Sequence, residues 1–473
     1  MNVSIARGIT RASMLCALAL LLLCSAAATD TAPNIAPNTT EEMQNPEFWI
    51  SQIDNPDKEI LTPAQIKYLN GKNRGKSFET TDINGDPYSI KGIVDGKDVI
   101  GVQFLVEDPL KLTTFSGDSL RARLDRKRDY FEKRTFFDRR LLKFDTVMKN
   151  ELLDMTDYDS IPDKISPRHG ILVSNTQNRV MPTNLPGWGS ASGWTDQFQS
   201  TAVDFGTPVA ILHASKNKDW YYVRSEISFG WVPAENVAIG TVAAIDKAVS
   251  ADNFIVAVTH KVPVFGDKEC ATLSAELFMG ARLKLVRNSA EGYEVMVPHR
   301  DSDGTLKMAR GWVKSDAGVN VGYQKFTQRN IINTMFSLLY RPYGWADMCD
   351  ERDCCGTTRV VYKTFGINMP RWTTHQLHSA NRVHAFQPKT SSEIKYGILD
   401  KCEPAITLIG HTGHIIMYLG KVNGSHYVIH QNGYSYKAED GTKMDVRRVY
   451  VNDTELAGGS FVEHWTEISE FRP

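Results

Sequence analysis

The chain has no excess of charge of either sign. It contains 54 Lys and Arg against 55 Asp and Glu in 473 residues, which gives a formal net charge of −1. A near-neutral chain gives no indication of a nucleic-acid partner or of a strongly anionic one. Hydrophobic residues make up 42% and charged residues 23%, as in ordinary globular proteins, and the length predicts three or four domains.

Long apolar runs are absent after the first 28 residues. The run from Met14 to Cys24 is too short for a bilayer, which takes about 20 residues. Arginines precede it and alanines follow it, so residues 1–28 are predicted to be a secretory signal. We therefore expect an exported protein, periplasmic or extracellular, with no transmembrane segment. Lipid attachment at Cys24 is an alternative, disfavoured because Leu23 is not the small residue that such signals carry.

Cysteine is scarce, and no Cys/His spacing typical of a zinc site is present, so neither a metal nor a cofactor is expected. Of seven cysteines, those after the predicted signal are Cys270, Cys349, Cys354, Cys355 and Cys402. This odd number leaves at least one free thiol in an exported protein. Cys349 and Cys402 could pair, but the sequence leaves that question open.

Cys354 is placed where a helix is predicted to begin. Apolar residues at helical spacing follow it, Asp353 is a good N-cap, and Gly366 is a suitable C-terminal stop. The helix dipole favours a thiolate at this end, and a thiolate is the nucleophilic form of cysteine. The alternative is a buried cysteine that packs as a small apolar side chain.

Two histidines downstream could serve such a nucleophile. His414 opens one apolar strand-like run and His430 closes the next, with the hairpin signal Asn423-Gly424 between them. A cysteine, a histidine base and a polar residue that orients the histidine form a catalytic set. A tight turn in a regular ladder would place the two histidines on opposite faces, so we predict an odd-length loop or a bulge. His411 is interpreted as a loop residue.

These segments resemble the NlpC family of bacterial cell-wall cysteine peptidases. Four ordered motifs carry the resemblance: Pro342-Tyr343-Gly344-Trp345, Asp353-Cys354-Cys355-Gly356, Phe365-Gly366-Ile367-Asn368-Met369-Pro370-Arg371 and Gly413-His414-Ile415-Ile416-Met417-Tyr418-Leu419-Gly420. The resemblance implies that Cys354, His414 and His430 are catalytic. It also implies that Tyr343, Asp353 and Thr373 lie near the substrate, and that Tyr343 and the Cys354 backbone N–H are candidates to stabilise the oxyanion.

The chain departs from the family pattern at two places. Cys355 stands where the family has serine, and Ala346-Asp347 stands where it usually has two glycines. Because successive helix positions point about 100° apart, we expect only one of the two adjacent cysteines to face the cleft. The motif register assigns that place to Cys354.

The first third of the chain is predicted to hold a flexible leader at 29–45 and a helical N-terminal domain at 46–165. Thr62 and Pro63 are typical of a helix start. Leu120–Lys143 is rich in charged residues of both signs with aromatic residues between them. We interpret it as a long helix with a solvated charged face, and the alternative is a surface for anionic wall polymers or lipid headgroups.

Two later segments repeat a β-rich pattern that ends in Gly-Trp-Val, at Gly230-Trp231-Val232 and Gly311-Trp312-Val313. They resemble bacterial SH3 domains, which places small β-barrels at 166–240 and 241–322. The catalytic domain then covers 323–473. Its pattern of helices and antiparallel strands predicts an α+β unit similar to papain. Helices are expected near 327–340 and 354–365, and strands at 405–409, 414–419, 426–431 and 447–451.

The resemblance implies a secreted peptidase that cleaves the γ-D-glutamyl–diamino acid bond of peptidoglycan stem peptides, with no obligate protein partner. The first barrel is expected to close one end of the cleft, so that a free N-terminal L-Ala is required. Asp353 is one candidate to meet its ammonium group, and Asp196 in the first barrel is a second. The alternatives are an inactive wall-binding protein, and an amidase or transpeptidase on the same fold.

Overall fold

The computed structural model describes residues 35–73, 79–81, 87–89, 91–94, 97–100, 108–387, 389–411, 413–433, 435–437, 443–455 and 460–473. The predicted signal at 1–28, with Cys24, lies outside the described residues, as does the start of the leader. Within the described part of the chain, no helix combines the length and apolar character needed to cross a membrane.

The first two helices pack on the C-terminal part of the chain. They span Pro46–Ile50 and Pro63–Asn73, and Trp49 and Ile50 share one apolar core with Phe326 and Ile331. Thr62 caps the second helix as predicted, since its hydroxyl accepts from the Gln65 N–H at 3.3 Å while the Gln65 side-chain oxygen accepts from the Thr62 N–H. Two short hairpins follow: Glu79–Thr81 with Pro87–Ser89, and Lys91–Val94 with Lys97–Ile100.

The charged helix was expected to cover Leu120–Lys143, but it covers Gly117–Lys133. It ends where Arg134 adopts an extended backbone conformation. Asp138 explains part of the difference: its carboxylate accepts the backbone N–H groups of Arg140 and Leu142 at 2.8 and 2.9 Å. Such local bonds compete with the helix. The next helix spans Thr146–Asp154. Both helices pack against the strands between residues 168 and 240, here called the first β-domain, rather than on the core that holds Trp49.

Two seven-stranded sheets follow, and they have the same strand order. The first contains Arg168–Leu172, Thr176–Arg179, Gln199–Val203, Pro208–Ala214, Trp220–Arg224, Phe229–Pro233 and Val237–Gly240. The second contains Phe254–Ala257, Lys261–Phe265, Leu273–Phe278, Arg282–Ser289, Gly292–Arg300, Leu306–Lys314 and Val319–Val321. Counted within each sheet, both run 7-1-4-5-6-2-3 across the ladder. The helix Val242–Val249 connects them.

The glycine of the repeated Gly-Trp-Val motif is required for the same physical reason in both sheets. A Cβ atom at Gly230 would lie 1.9 Å from the Asn178 side-chain oxygen, and one at Gly311 would lie 2.4 Å from a methyl group of Val297. Neither distance is possible, so each motif needs glycine where a neighbouring strand comes close. The sequence repeat therefore marks a repeated structural unit.

The C-terminal part is a six-stranded antiparallel sheet with helices. The strands, in order across the sheet, are Arg382–Ala385, Trp465–Glu470, Thr407–His411, His414–Val422, Ser425–Asn432 and Arg448–Asp453. The helices are Gln328–Phe336, Cys354–Lys363, Thr373–Leu377, Ser392–Leu399 and Ser460–Glu463. The expected helices and strands are present with shifted ends. The sequence did not predict the first two strands of the sheet or the last three helices.

A bulge sets the register of the hairpin that carries the histidines. The turn is the tight Asn423-Gly424 pair, and Val422 lies opposite Ser425, but the ladder slips by one residue between Tyr418 and Gly420. On the side of the bulge away from the turn, Met417 lies opposite Ile429. Continued by one residue, the same register places Ile416 opposite His430. The predicted bulge is confirmed, and it places His414 and His430 on one face of the sheet.

Candidate active site

The helix Cys354–Lys363 begins as its sequence predicts. Asp353 is the N-cap, and its side chain accepts the Gly356 N–H at 2.8 Å. Cys354 is therefore the first helical residue, only 5% exposed, and its helix packs against the strand that His414 opens. Gly366, with φ of +80°, stands where the stop was predicted.

Both adjacent cysteines line the cleft, so the expectation that only one would do so is wrong. Their sulfur atoms lie 3.8 Å apart, and the Cys355 sulfur is 2.9 Å from the Thr373 hydroxyl. The hydrogen bond with Cys355 and then burial raise the pKa of the Cys354 thiol well above its usual value. Both effects act against the helix dipole, which alone would favour the thiolate that the sequence led us to expect.

His414, His430 and Asn452 form a chain of hydrogen bonds. His414 Nε2 lies 2.6 Å from His430 Nδ1, and His430 Nε2 lies 2.7 Å from Asn452 Oδ1. The Asn452 amide is oriented because its Nδ2 donates to the Asp453 carbonyl at 2.6 Å. Its oxygen must therefore accept a hydrogen bond from the N–H at His430 Nε2. His430 Nδ1 then accepts from His414 Nε2, which leaves the proton-accepting lone pair of His414 on Nδ1.

Burial keeps both histidines neutral. It lowers the pKa of His414 well below its usual range, with further lowering from His430 and His411. It lowers the pKa of His430 to about 4, although the hydrogen bond to Asn452 acts in the opposite direction. A neutral imidazole with a fixed tautomer is the form that can take a proton from a thiol.

The cleft above Cys354 has a volume of about 550 Å³ and is formed by three parts of the chain. Tyr343, Asp353 and Thr373, each predicted near the substrate, all line it. The first β-domain supplies Gln197, Gln199 and Ser200, and the helix Gly117–Lys133 supplies Lys127 and Tyr130. Trp345 and Trp372 lie at this cleft with 36% and 54% of their surface exposed.

Asp347 joins the first β-domain to the catalytic helix. Its fully buried carboxylate accepts from the Thr201 hydroxyl at 2.9 Å and from the Asp353 N–H at 3.2 Å. The carboxylate fills the space in which a side chain at position 356 would lie. A Cβ atom on Gly356 would be 1.9 Å from Asp347 Oδ1, so this position requires glycine. Ala346 and Asp347 have φ of 50° and 63°, the left-handed conformation that glycine adopts most easily.

Buried ion pairs reinforce the same interface. Arg352 donates to Asp204 of the first β-domain at 2.5 Å, and Arg359 lies 3.6 Å from the same carboxylate. Arg371 binds Asp353 at 2.5 and 3.2 Å and reaches the Thr201 hydroxyl at 2.7 Å. The sequence did not single out Asp204, Asn452 or the arginines in these roles.

The structure places three other residues differently from the expectations. Asp196 is bound to Arg179 at 2.6 Å and accepts two backbone N–H groups, so its carboxylate serves its own loop and does not line the cleft. His411 ends a strand, stacked on Phe461 with ring centroids 5.0 Å apart, and is not a loop residue. Cys402 is a free thiol, so it does not pair with Cys349.

One group of side chains could share a metal ion. Asp353, Cys354 and Cys355 each offer a ligand atom, and these atoms lie within 4.8 Å of one another. Both oxygens of Asp353 already accept bonds from Arg371, and one accepts from Gly356. This arrangement neutralises the only carboxylate of the group, which makes the set a poor match for a hard divalent cation.

A domain family and a curated protein are similar in sequence to this chain. The SH3 domain family of the SH3b1 type matches residues 195–233. A γ-D-glutamyl-L-lysine dipeptidyl-peptidase from Bacillus cereus is 24% identical over 237 residues, 47% of this chain. The chain spans 65% of the length of that curated relative.

The structural likeness extends over most of the molecule. An NlpC/P60 endopeptidase from Photobacterium damselae subsp. piscicida superposes with a TM-score of 0.69 at 18% sequence identity. The match covers 90% of this chain and 97% of that one. The resemblance to NlpC-type proteins with SH3-like domains is thereby confirmed at the level of the fold.

Proposed function

We propose that this chain, which has the fold of an NlpC/P60 endopeptidase, hydrolyses the γ-D-glutamyl–diamino acid bond of peptidoglycan stem peptides. The observation that carries the proposal is the relay from His414 through His430 to Asn452, placed on the sheet against the helix that begins at Cys354. The Bacillus cereus relative, whose name states the same bond type, supports the choice of substrate.

The first half of the reaction forms a thioester. Cys354 Sγ attacks the γ-carbonyl carbon of the glutamyl residue while its proton passes to Nδ1 of His414. The Cys354 backbone N–H and the Tyr343 hydroxyl are the donors for the negatively charged oxygen. Collapse of the tetrahedral intermediate breaks the C–N bond, and His414 gives the proton to the departing amine.

The second half restores the enzyme. A water molecule gives a proton to His414 and attacks the thioester carbon. The C–S bond then breaks, and the proton returns to the Cys354 sulfur. The buried, fixed tautomer of His414 supports both halves, because the same nitrogen must accept and release a proton in each of them.

The first β-domain contributes Gln197, Gln199 and Ser200 to the cleft, which supports the proposal that this domain limits substrate entry at one end. A peptide that begins at this end needs an anionic partner for its terminal ammonium. Asp353 accepts three hydrogen bonds, from Arg371 twice and from Gly356. A carboxylate offers about four acceptor positions, so one remains for the free N-terminal L-Ala.

The wider organisation is proposed on the same basis. The chain is exported by a signal at 1–28, followed by a leader at 29–45 and an N-terminal domain at 46–165. SH3-like domains occupy 166–240 and 241–322, and the papain-like peptidase domain occupies 323–473. The matching strand orders of the two sheets support the pair of SH3-like domains.

Mass spectrometry of peptide products tests this function. The free tripeptide L-Ala-γ-D-Glu-diamino acid should give L-Ala-D-Glu and the free diamino acid. The same peptide with an acylated N-terminus should react far more slowly, and Cys354→Ala should cleave neither. Products from another bond would contradict the proposed specificity. Equal cleavage of the free and acylated peptides would contradict the closed end.

A further inference from the structure

The helix Gly117–Lys133 carries cations in two different surroundings. Arg128 pairs with Glu132 at 2.9 Å and Lys133 pairs with Asp129 at 2.8 Å. Arg126 and Lys127 line a groove beside the cleft and form no ion pair with any carboxylate of the described residues. Only the paired cations therefore belong to the balanced, solvated surface that the composition of the helix suggests.

Lys127 faces the catalytic cleft and an adjoining groove. It lines the cleft together with Cys354, and it also lines a groove of about 140 Å³ together with Arg126. Ser200 and Trp372 line both spaces, so the groove is continuous with the cleft. A ligand that enters the active site can therefore extend towards both cations.

The two cations lie in an electropositive environment. The surrounding protein, and then Arg126 and Arg123, lower the pKa of Lys127, although its side chain is solvent-exposed and therefore partly screened. The Nη1 atom of Arg126 is buried and has no hydrogen-bond partner among the described residues. Buried cationic groups are costly unless an anion meets them.

The other charges at this site do not supply that anion. Asp353 is the carboxylate that lines the cleft, and it is held by Arg371 at 2.5 Å. The residues that line the groove include Arg123 and Arg371 but neither aspartate nor glutamate. Because Arg371 is paired with Asp353 and Asp347, the positive charge that no carboxylate of the described residues offsets lies on Arg126 and Lys127.

We propose that Arg126 and Lys127 form a subsite that binds a carboxylate of the substrate next to the bond that is cleaved. This inference rests on the proposed function, since γ-glutamyl peptides carry such a carboxylate on either side of that bond. One is the α-carboxylate of the glutamyl residue, and the other belongs to the diamino acid. Ammonium and guanidinium groups are the natural partners of either.

The subsite would act on specificity rather than on the chemical step. A charge-assisted hydrogen bond to a carboxylate is lost when that group is an amide, and the amide brings a donor towards two cations. We expect the acid to be preferred over the matching amide by about ten- to a hundredfold in kcat/KM. Because the groove is open to solvent, the preference should weaken as salt concentration rises.

Three peptides and two lysine variants test the subsite. The peptides are L-Ala-γ-D-Glu-diamino acid, its analogue amidated at the glutamyl α-carboxylate, and its analogue amidated at the diamino-acid carboxylate. Wild type should discriminate against one of the amides, which identifies the carboxylate that is bound. Lys127→Met should remove that discrimination by raising KM for the acid. Lys133→Met, which changes a lysine of the same helix that is paired with Asp129, should keep it.

Binding to the inactive Cys354→Ala variant separates this inference from the proposed function. Calorimetry should show tighter binding of the acid than of one amide, and a second substitution, Lys127→Met, should abolish the difference. Equal binding of all three peptides, or failure to bind any, would overturn the subsite. Acid-selective binding without cleavage by wild type would support the subsite and overturn the proposed reaction. If Lys127→Met and Arg126→Met both left the preference for the acid over the amide unchanged, the carboxylate would be bound by other residues. That result would overturn the subsite.

Discussion

His430 Nε2 lies 2.7 Å from Asn452 Oδ1, and this contact fixes the proton positions on two histidines at once. The amide oxygen can only accept, so His430 carries its proton on Nε2 and His414 carries its own on the nitrogen that faces His430. Asn452 acts on Cys354 through two intervening rings. It is a positioning residue, and it completes a set of four rather than three.

Replacing Asn452 tests this relay. Asn452→Ala leaves the tautomers unspecified, and we expect kcat to fall about a hundredfold with little change in KM. Asn452→Asp preserves an acceptor and stabilises charged His430, so it should retain most activity while the acidic limb of the pH profile moves to higher pH. Steady-state kinetics from pH 4 to 8 measure both effects.

The exposed Asn333 provides the matched control, because Asn333→Ala lies in the same domain away from the relay. Its kinetics and pH profile should be those of wild type. If Asn452→Ala kept full activity, or if Asn452→Asp left the pH profile unmoved, the contact would have only a structural role.

Cys355 should restrain the reactivity of Cys354. Its hydrogen bond is the main cause that raises the pKa of the Cys354 thiol. Cys355→Ser should lower that pKa, so that more thiolate is present at neutral pH. Iodoacetamide should then modify Cys354 faster, with a rate that rises up to about tenfold each time the thiol pKa falls by one. Hydrolysis should persist in this variant and disappear in Cys354→Ala.

The half-buried free thiol of Cys402 serves as the internal reference for this experiment. Peptide mapping of the alkylated protein gives the modification rate at each cysteine. The rate at Cys402 should be the same in both proteins. A slower or unchanged rate at Cys354 in Cys355→Ser would refute the restraint.

The sequence predicted the local features of the site because they depend on neighbouring residues. Asp353 as N-cap and the turn at Asn423-Gly424 follow from short-range rules. The bulge is predicted on another ground, because His430 can orient His414 only from the same face of the sheet. Asn452 could not be found in this way, because it comes close to His430 only when a distant strand pairs with it. In the sequence, Asn452 is only a polar residue that follows Val449–Val451. This pattern does not indicate a contact with His430 until the pairing of the two strands is known.

The contacts between separate parts of the chain also could not be predicted from the sequence. Asp204 and Arg352 are 148 residues apart in the chain, yet they form a buried ion pair. Asp347 was noticed as a departure from the family pattern, but its contact with Thr201 needs the first β-domain in place. At Asp138 the prediction failed for a local reason. The Asp138 carboxylate accepts backbone N–H groups of Arg140 and Leu142, which favours a turn where the composition had predicted a helix.

Activity should extend well below the usual pKa of histidine. A general base must be neutral, and burial lowers the pKa of His414 while it holds that of His430 at about 4. Since lower pKa values keep the imidazoles neutral in more acidic solution, kcat/KM should be unchanged from pH 7 to pH 6. A half-maximal point near pH 6.5 would contradict the buried neutral pair.

The last prediction concerns stability at the interface of the first β-domain. Burial alone would raise the pKa of Asp204, but Arg352 and Arg359 hold it at about 2. Asp204→Asn leaves these arginines without their counter-ion, and we expect a loss of about 3–5 kcal/mol in unfolding free energy at pH 7. Asp118→Asn, which disrupts an exposed pair with Arg121, should leave the melting temperature unchanged.

The effect of pH on this pair has a defined sign. The folded pKa of Asp204 is about 2 against the ordinary value of 3.8, so the carboxylate stabilises the fold fully above about pH 4. Protonation removes about 2 kcal/mol of that stabilisation as the pH falls towards 2. The difference in unfolding free energy between wild type and Asp204→Asn should therefore narrow over this interval when denaturant titrations are compared. A difference that stays constant from pH 5 to pH 2 would show that Asp204 does not titrate as a partner of these arginines.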